Sequence, residues 1–576
     1  MGVVPVRWPR RRGLPESRND FRRDLIVPVP PRPQEGNLLP APAFILTNGR
    51  IWTGDPATPQ AEALAARGGR IVAVGSRQEI ERSADSRTEI LDAAGRRVIP
   101  GLIDAHVHLN WAYELGHWID LSDHPPMLEV QRRVREYAHA HPEEEIIMGH
   151  GFDYAALGGS GLPTAQDLDT TVYDRPVLLT SWDGHTGWGN TRFVERAQQV
   201  LAKAKKEVGG MQRDPKTHQP TGIFTESFDI EALLPELERR KSVEGLERIL
   251  TAASGYGITT AFDVQVPLEG LAGYEQLRNR NALPVRIRVA IYHPPDTPRQ
   301  KYTEFMNAVA RAHDDWFGIG AVKLYIDGVQ ETGTAALLAP YANNPSSRGP
   351  TVYPISQYEA IVQELDRRGF QVLTHACGDR GVRIALNAYE KAFAANKMLG
   401  RRHRIEHCEN LAAEDIPRFA RLGVVPCMMP RHSAPELTRR WREAVGLQRT
   451  RRAFPWKKLL ATGARLAFAS DWPVADLNPW VGIHAAVTRT DPSGRPSPLR
   501  LTLEQALTAY TMGAAFASHC DTTRGSLSVG KYADLVVLSP DPFETPPEKL
   551  AEIRTVATVV DAKQVFADPE NASAVG

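Results

Sequence analysis

The chain has 576 residues, of which 42% are hydrophobic and 24% are charged, as in a globular protein with more than one structural unit. Its 69 lysines and arginines nearly balance its 68 aspartates and glutamates, so no excess charge favours nucleic acid or an acidic membrane surface as a partner. Four cysteines are too few for a disulfide framework and fit a reducing, cytoplasmic setting. The longest apolar runs are far too short to span a membrane.

Residues 1–41 are rich in arginine and proline, as in "RWPRRRGLPESRNDFRRD" and "VPVPPRPQEG". They contain no apolar run of the kind that a secretory signal needs. We predict a flexible arm, or one draped over the surface, and assign no function to it.

Short strand-like pieces begin at Phe44 and are separated by turn signals such as Asn48-Gly49. The segments "GSLSVGKYADLVVLS" and "TVATVVDAKQVFAD" near the other end of the chain have the same character. The pattern predicts one small β-sandwich domain that is assembled from residues 42–99 and 524–568.

Residues 100–523 alternate apolar strand-like runs with amphipathic stretches such as "ISQYEAIVQELDRRG". Eight strand candidates predict an α/β fold with a (β/α)8 TIM barrel. They are "VIPGLIDAHVH", "GITTAFDVQ", "VRIRVAIYH", "IGAVKLYIDG", "FQVLTHACG", "HRIEHCEN", "GVVPCMMP" and "RLAFASDWPV". A doubly wound open sheet would look similar, but no Gly-x-Gly-x-x-Gly follows the first strand. The segment at about 111–256 is much longer than one crossover helix requires, and this length predicts an inserted subdomain over the barrel mouth.

Polar residues stand at the ends of five predicted strands, where barrels of this architecture place their chemistry. They are His106, His108, Lys323, His375, His407 and Asp471. His106 and His108 share one face of strand one, because side chains alternate with period two. Each residue alone has an ordinary structural explanation, and Lys323 could form a buried ion pair with Asp327 or Glu406. Together the six predict a metal site.

The segments "PGLIDAHVHL", "THACGDRGV", "RIEHCEN" and "FASDWPVADLNPW" resemble the amidohydrolase superfamily, specifically its YtcJ-like, N-substituted formamide deformylase-like branch. The similarity covers the chain from about Phe44 to about Asp568. It implies a metal-dependent hydrolase that cleaves a carbon–nitrogen bond in a non-peptide amide, an N-formyl or N-acyl amine, or a carbamoyl-type substrate. It also implies one or two divalent ions, with Zn2+ as the expected metal.

The resemblance implies that His106 and His108 hold one ion and that His375 and His407 hold the second. Lys323 would then be carboxylated and bridge both ions, since a lysine with a lowered pKa can take up CO2. Asp471 would contact the metal-activated hydroxide, take its proton and deliver that proton to the leaving nitrogen. Asp471, His407 and Lys323 are thus the implied catalytic residues, and a single-metal site with an unmodified lysine stays an alternative.

A substrate pocket is predicted from loops near these strand ends. Trp182 and Asp183 are expected to line it, and His185 or His432 to donate a hydrogen bond to the developing oxyanion. Related sequences usually follow strand four with an "LGSRTA"-like loop, whereas this chain has "VQETGTAAL". We therefore expect Glu331 near the pocket in place of an arginine.

Three other functions are alternatives to the hydrolysis of an amide. A heterocycle deaminase of the same superfamily would place a glutamate three residues after the strand-five histidine, but Gly378 stands there and Asp379 follows. A metal-free binding or scaffold barrel should lack some of the ligands. A Schiff-base lyase using Lys323 would leave four histidines and an aspartate unexplained. The expected partner is a small-molecule substrate, with neither nucleic acid nor membrane, and a homodimer is one option because barrels of this family often pair.

Overall fold

The structure is a computed structural model that describes residues 42–569, apart from 116–117, 122–124, 154–156, 158–161, 182–185, 205–209, 226–241, 313, 399 and 436. The predicted arm at 1–41 and the predicted pocket residues Trp182, Asp183 and His185 lie outside the described residues. None of the helices described is both long and apolar enough to cross a membrane.

Seven short strands and one helix begin the described chain. They are β1 Phe44–Thr47, β2 Arg50–Trp52, β3 Gln60–Ala61, β4 Ala63–Arg67, β5 Arg70–Gly75, α1 Arg77–Glu81, β6 Glu89–Asp92 and β7 Arg97–Pro100. Four of these strands form a sheet in the order β5-β4-β1-β6. Every residue of β1 is buried, so both faces of this strand are covered.

The next strand, β8 at Leu102–Val107, is followed by a six-stranded sheet with helices packed on it. The elements are α2 Asn110–Leu115, β9 Ile119–Asp120, α3 Met127–Ala140, β10 Ile147–Phe152, α4 Ala165–Asp169, β11 Val177–Ser181, β12 Thr186–Gly189, α5 Thr191–Ala204, β13 Met211–Arg213 and β14 Pro220–Thr225. The strand order is β13-β14-β12-β11-β10-β9. Helices α3 and α4 pack on the strands through an apolar cluster that includes Val134, Leu168 and Ile223. The assignment of residues 111–256 as an inserted subdomain stays a prediction.

Seven further strands alternate with helices and complete a parallel sheet with β8. The elements are α6 Val243–Gly255, β15 Ile258–Val266, α7 Leu271–Asn279, β16 Arg286–Tyr292, α8 Lys301–Arg311, β17 Phe317–Tyr325, α9 Ile355–Arg367, β18 Gln371–Ala376, α10 Asp379–Asn396, β19 Arg404–His407, α11 Ile416–Leu422, β20 Val425–Met428, α12 Arg439–Val445, α13 Leu447–Arg452, α14 Trp456–Ala461 and β21 Ala467–Phe468. The order is β21-β20-β19-β18-β17-β16-β15-β8, with all neighbours parallel.

The two edges of this eight-stranded sheet meet just beyond β21. Asp471 N donates to His106 O at 2.9 Å, and His108 N donates to Trp472 O at 2.8 Å. These bonds join the segment after β21 to the end of β8. The result is a nearly closed eight-stranded parallel barrel, which confirms the predicted α/β class and is consistent with the predicted TIM barrel.

The chain ends with three helices and three strands. They are α15 Pro479–Thr488, α16 Leu503–Thr508, α17 Ala514–Ala517, β22 Leu535–Ser539, β23 Arg554–Val560 and β24 Lys563–Ala567, with short helical turns at Leu268–Gly270, Pro430–Ser433, Ala509–Gly513 and Pro547–Glu552. The last three strands pair with N-terminal ones in a sheet of order β24-β23-β22-β7-β2-β3. The proposed β-sandwich and the domain bounds at 42–99, 100–523 and 524–568 stay predictions.

The run "VIPGLIDAHVH" forms two strands, where the sequence pattern predicts one. β7 pairs with β22 in the mixed sheet, while β8 pairs with β15 in the barrel. The break falls at Gly101, where an added Cβ would lie 2.1 Å from Thr259 Oγ1. The chain therefore changes sheet at a position where the neighbouring strand leaves no room for a side chain.

Candidate metal centre

The barrel gathers the six predicted site residues at the carboxyl end of its strands. His106 lies in β8 and His108 directly follows it, Lys323 lies in β17, His375 in β18, and His407 ends β19, while Asp471 follows β21. All six are at most 6% exposed. Five separate strands thus deliver polar groups to one buried spot, where this architecture carries its chemistry.

The Asp471 carboxylate lies close to three of the four predicted histidine ligands. Its Oδ1 lies 3.2 Å from His106 Nε2 and 3.1 Å from His108 Nε2, and its Oδ2 lies 3.7 Å from His407 Nδ1. Asp471 and His407 both have left-handed backbone angles, with φ of 64° and 71°. Such backbone is costly outside glycine, and it is common where a site demands a particular side-chain direction.

His106 is held in the tautomer that a metal ligand needs. Its Nδ1 lies 2.6 Å from Glu406 Oε2, and Arg404 donates to both Glu406 oxygens at 2.9 and 2.8 Å. Despite burial, which opposes ionisation, Arg404 and then His106 lower the pKa of Glu406 to about 2. An ionised carboxylate can only accept, so Nδ1 carries a proton, and Nε2 is the ring atom left to bind a metal ion.

His375 and His407 form the other half of the group, with ring centroids 4.3 Å apart. His375 Nε2 lies 3.2 Å from Gly328 O, a bond that assigns the proton to Nε2 and leaves Nδ1 as its lone-pair atom. Cys377 Sγ lies 3.5 Å from the same Nε2. The donor atoms of these three residues lie within 4.8 Å of one another, as do those of His106, His108 and Asp471.

Lys323 is fully buried beside His106, with Nζ 3.5 Å from His106 Nε2. Burial lowers its pKa to about 8, although the charges of Glu406 and Asp471 act in the opposite direction. Neither ion pair weighed from the sequence forms among the described residues. Glu406 bonds to Arg404, and Asp327 accepts backbone N–H groups from Ala336, Cys377 and Gly378 at 2.8 to 3.0 Å.

The protonation states of the group suit a cation. Burial lowers the pKa of His108 to about 4 and that of His407 well below its ordinary value. Burial opposes ionisation of Asp471, but His106 and then His108 hold its pKa well below the usual range. The Nε2 atoms of His106 and His108 thus lie 3.2 and 3.1 Å from an ionised carboxylate, and this set of nitrogen and oxygen atoms is one that a divalent cation binds. The residues present fit a metal ion.

A cavity of about 560 Å3 opens onto this group. His108, His375, His407 and Asp471 form one part of its wall, and Trp111, Tyr292, Tyr325 and Tyr353 supply aromatic faces. Thr334 of the loop after β17 also lines the cavity, and Glu331 is half-buried three residues earlier in that loop. The position of Glu331 thus leaves its predicted role in the pocket untested.

His432 lies beside the candidate metal ligands, with Nε2 3.6 Å from Asp471 Oδ2 and Nδ1 3.3 Å from Glu409 Oε1. Glu409 Oε2 in turn accepts from Trp441 Nε1 at 2.8 Å. His432 is among the residues expected from the sequence, whereas Glu409 and Trp441 are not. Only one signal pointed to Glu409, namely a carboxylate two residues after His407 in "HCEN".

Comparison with known proteins identifies the family. The profile of the Amidohydrolase family matches residues 89–566. The chain belongs to the amidohydrolase family. This confirms the resemblance found in the sequence motifs.

Relatives of this amidohydrolase align over nearly the whole chain. Protein LONG AFTER FAR-RED 3 of Arabidopsis thaliana is 30% identical, with 91% of each chain covered. N-substituted formamide deformylase of Arthrobacter pascens is 25% identical over 90% of this chain and 97% of that protein. A crystal structure of an uncharacterized metal-dependent hydrolase from Pyrococcus furiosus superposes with a TM-score of 0.67 at 25% identity, and the match covers 88% of this chain and 100% of that one.

Proposed function

We propose that this amidohydrolase is a metal-dependent hydrolase of the carbon–nitrogen bond in a small non-peptide amide, an N-formyl or N-acyl amine, or a carbamoyl-type compound. The observation that carries the proposal is the convergence of four imidazoles, one lysine and one carboxylate from separate strands on one buried spot beside a cavity. The relative named N-substituted formamide deformylase supports the substrate class.

His106 and His108 would hold one divalent ion, and His375 and His407 a second, with Zn2+ as the expected metal. Lys323 would bridge the two as a carbamate, since an amine whose pKa lies at about 8 is substantially neutral near that pH and can add CO2. When bound, the metal supplies an acidified water and a Lewis acid for a carbonyl oxygen.

The chain's own residues would then orient the substrate and move the proton. Asp471 would accept a proton at Oδ2 and pass it to the leaving nitrogen, because its carboxylate lines the cavity beside His407, with Oδ2 3.7 Å from His407 Nδ1. His432 would donate a hydrogen bond to the developing oxyanion, and Glu409 would fix its orientation through Nδ1. The aromatic faces of Tyr292 and Tyr325 would exclude water from the substrate.

The geometry after β18 disfavours the rival heterocycle deaminase. An added Cβ at Gly378 would lie 2.0 Å from Ala336 O, so the position cannot hold a glutamate without displacing backbone. The neighbouring Asp379 is committed elsewhere, because its oxygens accept from Leu338 N at 2.8 Å and from the Arg452 guanidinium at 3.0 Å. Neither Gly378 nor Asp379 therefore supplies the acid that a deaminase would place here to protonate a ring nitrogen.

The test is a screen of N-formyl, N-acyl and carbamate compounds with protein loaded with Zn2+, Mn2+ or Co2+, followed by Asp471→Asn. We expect this substitution to lower kcat by about 10^2 to 10^4, the range of a lost general acid–base residue, while metal analysis shows the metal retained. Asp476→Asn is the matched control, since Asp476 lies five residues on, is exposed and pairs with Arg431 at 3.1 Å. Full activity without bound metal, or full activity in Asp471→Asn, would contradict the proposal.

A further inference from the structure

A second cleft of about 230 Å3 lies among α12, α13 and the segment after α15. Arg442, Arg451 and Arg489 contribute cationic side chains to its lining, and the buried Trp441 and Phe454 contribute aromatic faces. The sequence around it is strongly basic, with six arginines and one glutamate in "RRWREAVGLQRTRR". Neither the family nor the catalytic group accounts for this concentration of charge.

The three arginines are not neutralised. Within the part of the chain that the structure describes, none of them forms an ion pair. Arg489 donates to Phe454 O and Ala453 O, both at 2.6 Å, and burial followed by the charge of Arg442 lowers the pKa of Arg489 to about 10. The cleft therefore holds cations that repel one another.

Asp491 is the carboxylate of the described lining, and it is already engaged. Its Oδ1 accepts from Ser493 N at 2.8 Å and from Ser493 Oγ at 2.5 Å, and its Oδ2 lies 3.7 Å from the Arg495 guanidinium. A concave site with three arginines and one engaged carboxylate favours an anion. Guanidinium groups match the geometry of phosphoryl oxygens, and the small volume suits a single anionic group more than a polymer.

We propose that this cleft binds a phosphoryl group, either as free phosphate or as a small phosphate monoester, and that its occupancy alters turnover at the metal centre. The route for the second effect is a chain of polar contacts. Trp441, which lines the cleft, donates to Glu409 at 2.8 Å, Glu409 contacts His432 at 3.3 Å, and His432 lies 3.6 Å from Asp471. A ligand that packs against Trp441 changes the position of this indole and, through Glu409, that of His432.

The binding test is isothermal titration calorimetry on the metal-loaded, full-length protein. The protein is titrated with inorganic phosphate and with methyl phosphate, and sodium chloride at matched ionic strength is the control. The variant Arg442→Gln/Arg451→Gln removes two charges while it keeps long polar side chains. Arg439→Gln is the matched control, because Arg439 is exposed on the same helix and outside the cleft lining. We expect the dissociation constant to rise at least about tenfold in the double variant and to stay within about twofold in the control.

The comparison separates the cleft from the catalytic group. Any phosphate bound directly to the metal would be retained in the double variant, whereas binding in the cleft would be lost. Preference for phosphate over methyl phosphate identifies the free ion as the ligand, and the reverse preference identifies a monoester. Equal affinity of wild type and double variant, or no binding by wild type, would overturn the assignment of the site.

The effect on turnover is measured separately, as kcat with and without saturating ligand. We expect a change in wild type and in Arg439→Gln, and none in the double variant. A ligand that binds in the cleft without changing kcat would refute the coupling. The titration requires no turnover, so a failure of the catalytic proposal would be distinguishable from a failure of this one.

Discussion

The contact between Glu406 and His106 allows a test of how the candidate metal centre is supported. Glu406→Gln keeps the size of a fully buried side chain and removes its charge. The substitution leaves Arg404 as a buried cation without its carboxylate, and it exchanges an acceptor-only group for one that can also donate to His106 Nδ1. Both the stability of the barrel and the tautomer of His106 should therefore change.

The size of the stability effect follows from the ionisation of Glu406. Its pKa is about 2, against an ordinary value of 4.5, and a difference of about 2.5 corresponds to about 3 kcal/mol at neutral pH. This value agrees with the fall of about 3 to 5 kcal/mol in the free energy of unfolding that follows removal of one partner of a buried ion pair. Because the folded pKa is depressed, the contribution is complete above about pH 4.5 and is lost as the pH falls toward 2. The metal affinity should fall by about 10- to 100-fold, as for other outer-shell partners of metal ligands.

The assay is urea unfolding of the metal-free protein, combined with metal-binding titration. Glu364→Gln is a closely matched control, because Glu364 also has a pKa of about 2 and accepts from two arginines, Arg367 and Arg368. Its pair lies at the surface of α9, where solvent screens the charges, so we expect a loss below about 1 kcal/mol. Equal stability losses in the two variants, with metal affinity unchanged in Glu406→Gln, would refute the reasoning.

Three further predictions concern the barrel core. Gly378→Ala should lower the free energy of unfolding, measured by thermal unfolding, by at least about 2 kcal/mol, because the added Cβ would overlap Ala336 O. Gly320→Ala is the control and should leave that free energy unchanged, because nothing lies within 4 Å of its added Cβ. The free energy of unfolding of the metal-free protein, measured with urea, should rise by up to about 3 kcal/mol as the pH is raised from about 8 to 10.5. In this range Lys323 is neutral in the folded protein but still protonated in the unfolded chain, and Lys323→Met should remove the rise. Bicarbonate during reconstitution should raise the bound metal toward two ions per chain in wild type but not in Lys323→Arg, and an equal rise in both would exclude carboxylation.

Local sequence patterns predicted those site residues that stand at the end of a single strand. Buried parallel strands are continuous apolar runs, so a histidine or aspartate at the end of such a run stands out, as His375 and Asp471 do. The same logic located seven of the eight barrel strands in the runs where they form. It failed to separate β7 from β8, because both are apolar and the change of sheet at Gly101 depends on Thr259, a residue 158 positions away.

The support of the site was less predictable, because it depends on pairings across the barrel. Arg404 and Glu406 share one face of β19, so their mutual ion pair could have been anticipated from the two-residue period. The choice of His106 as the next partner could not, because 300 positions separate it from Glu406 and only closure of the barrel brings the two within 2.6 Å. Lys323 illustrates the consequence. Both carboxylates weighed as its partner are committed to other groups, which leaves a buried amine with a lowered pKa and supports a chemical rather than an electrostatic role for that side chain.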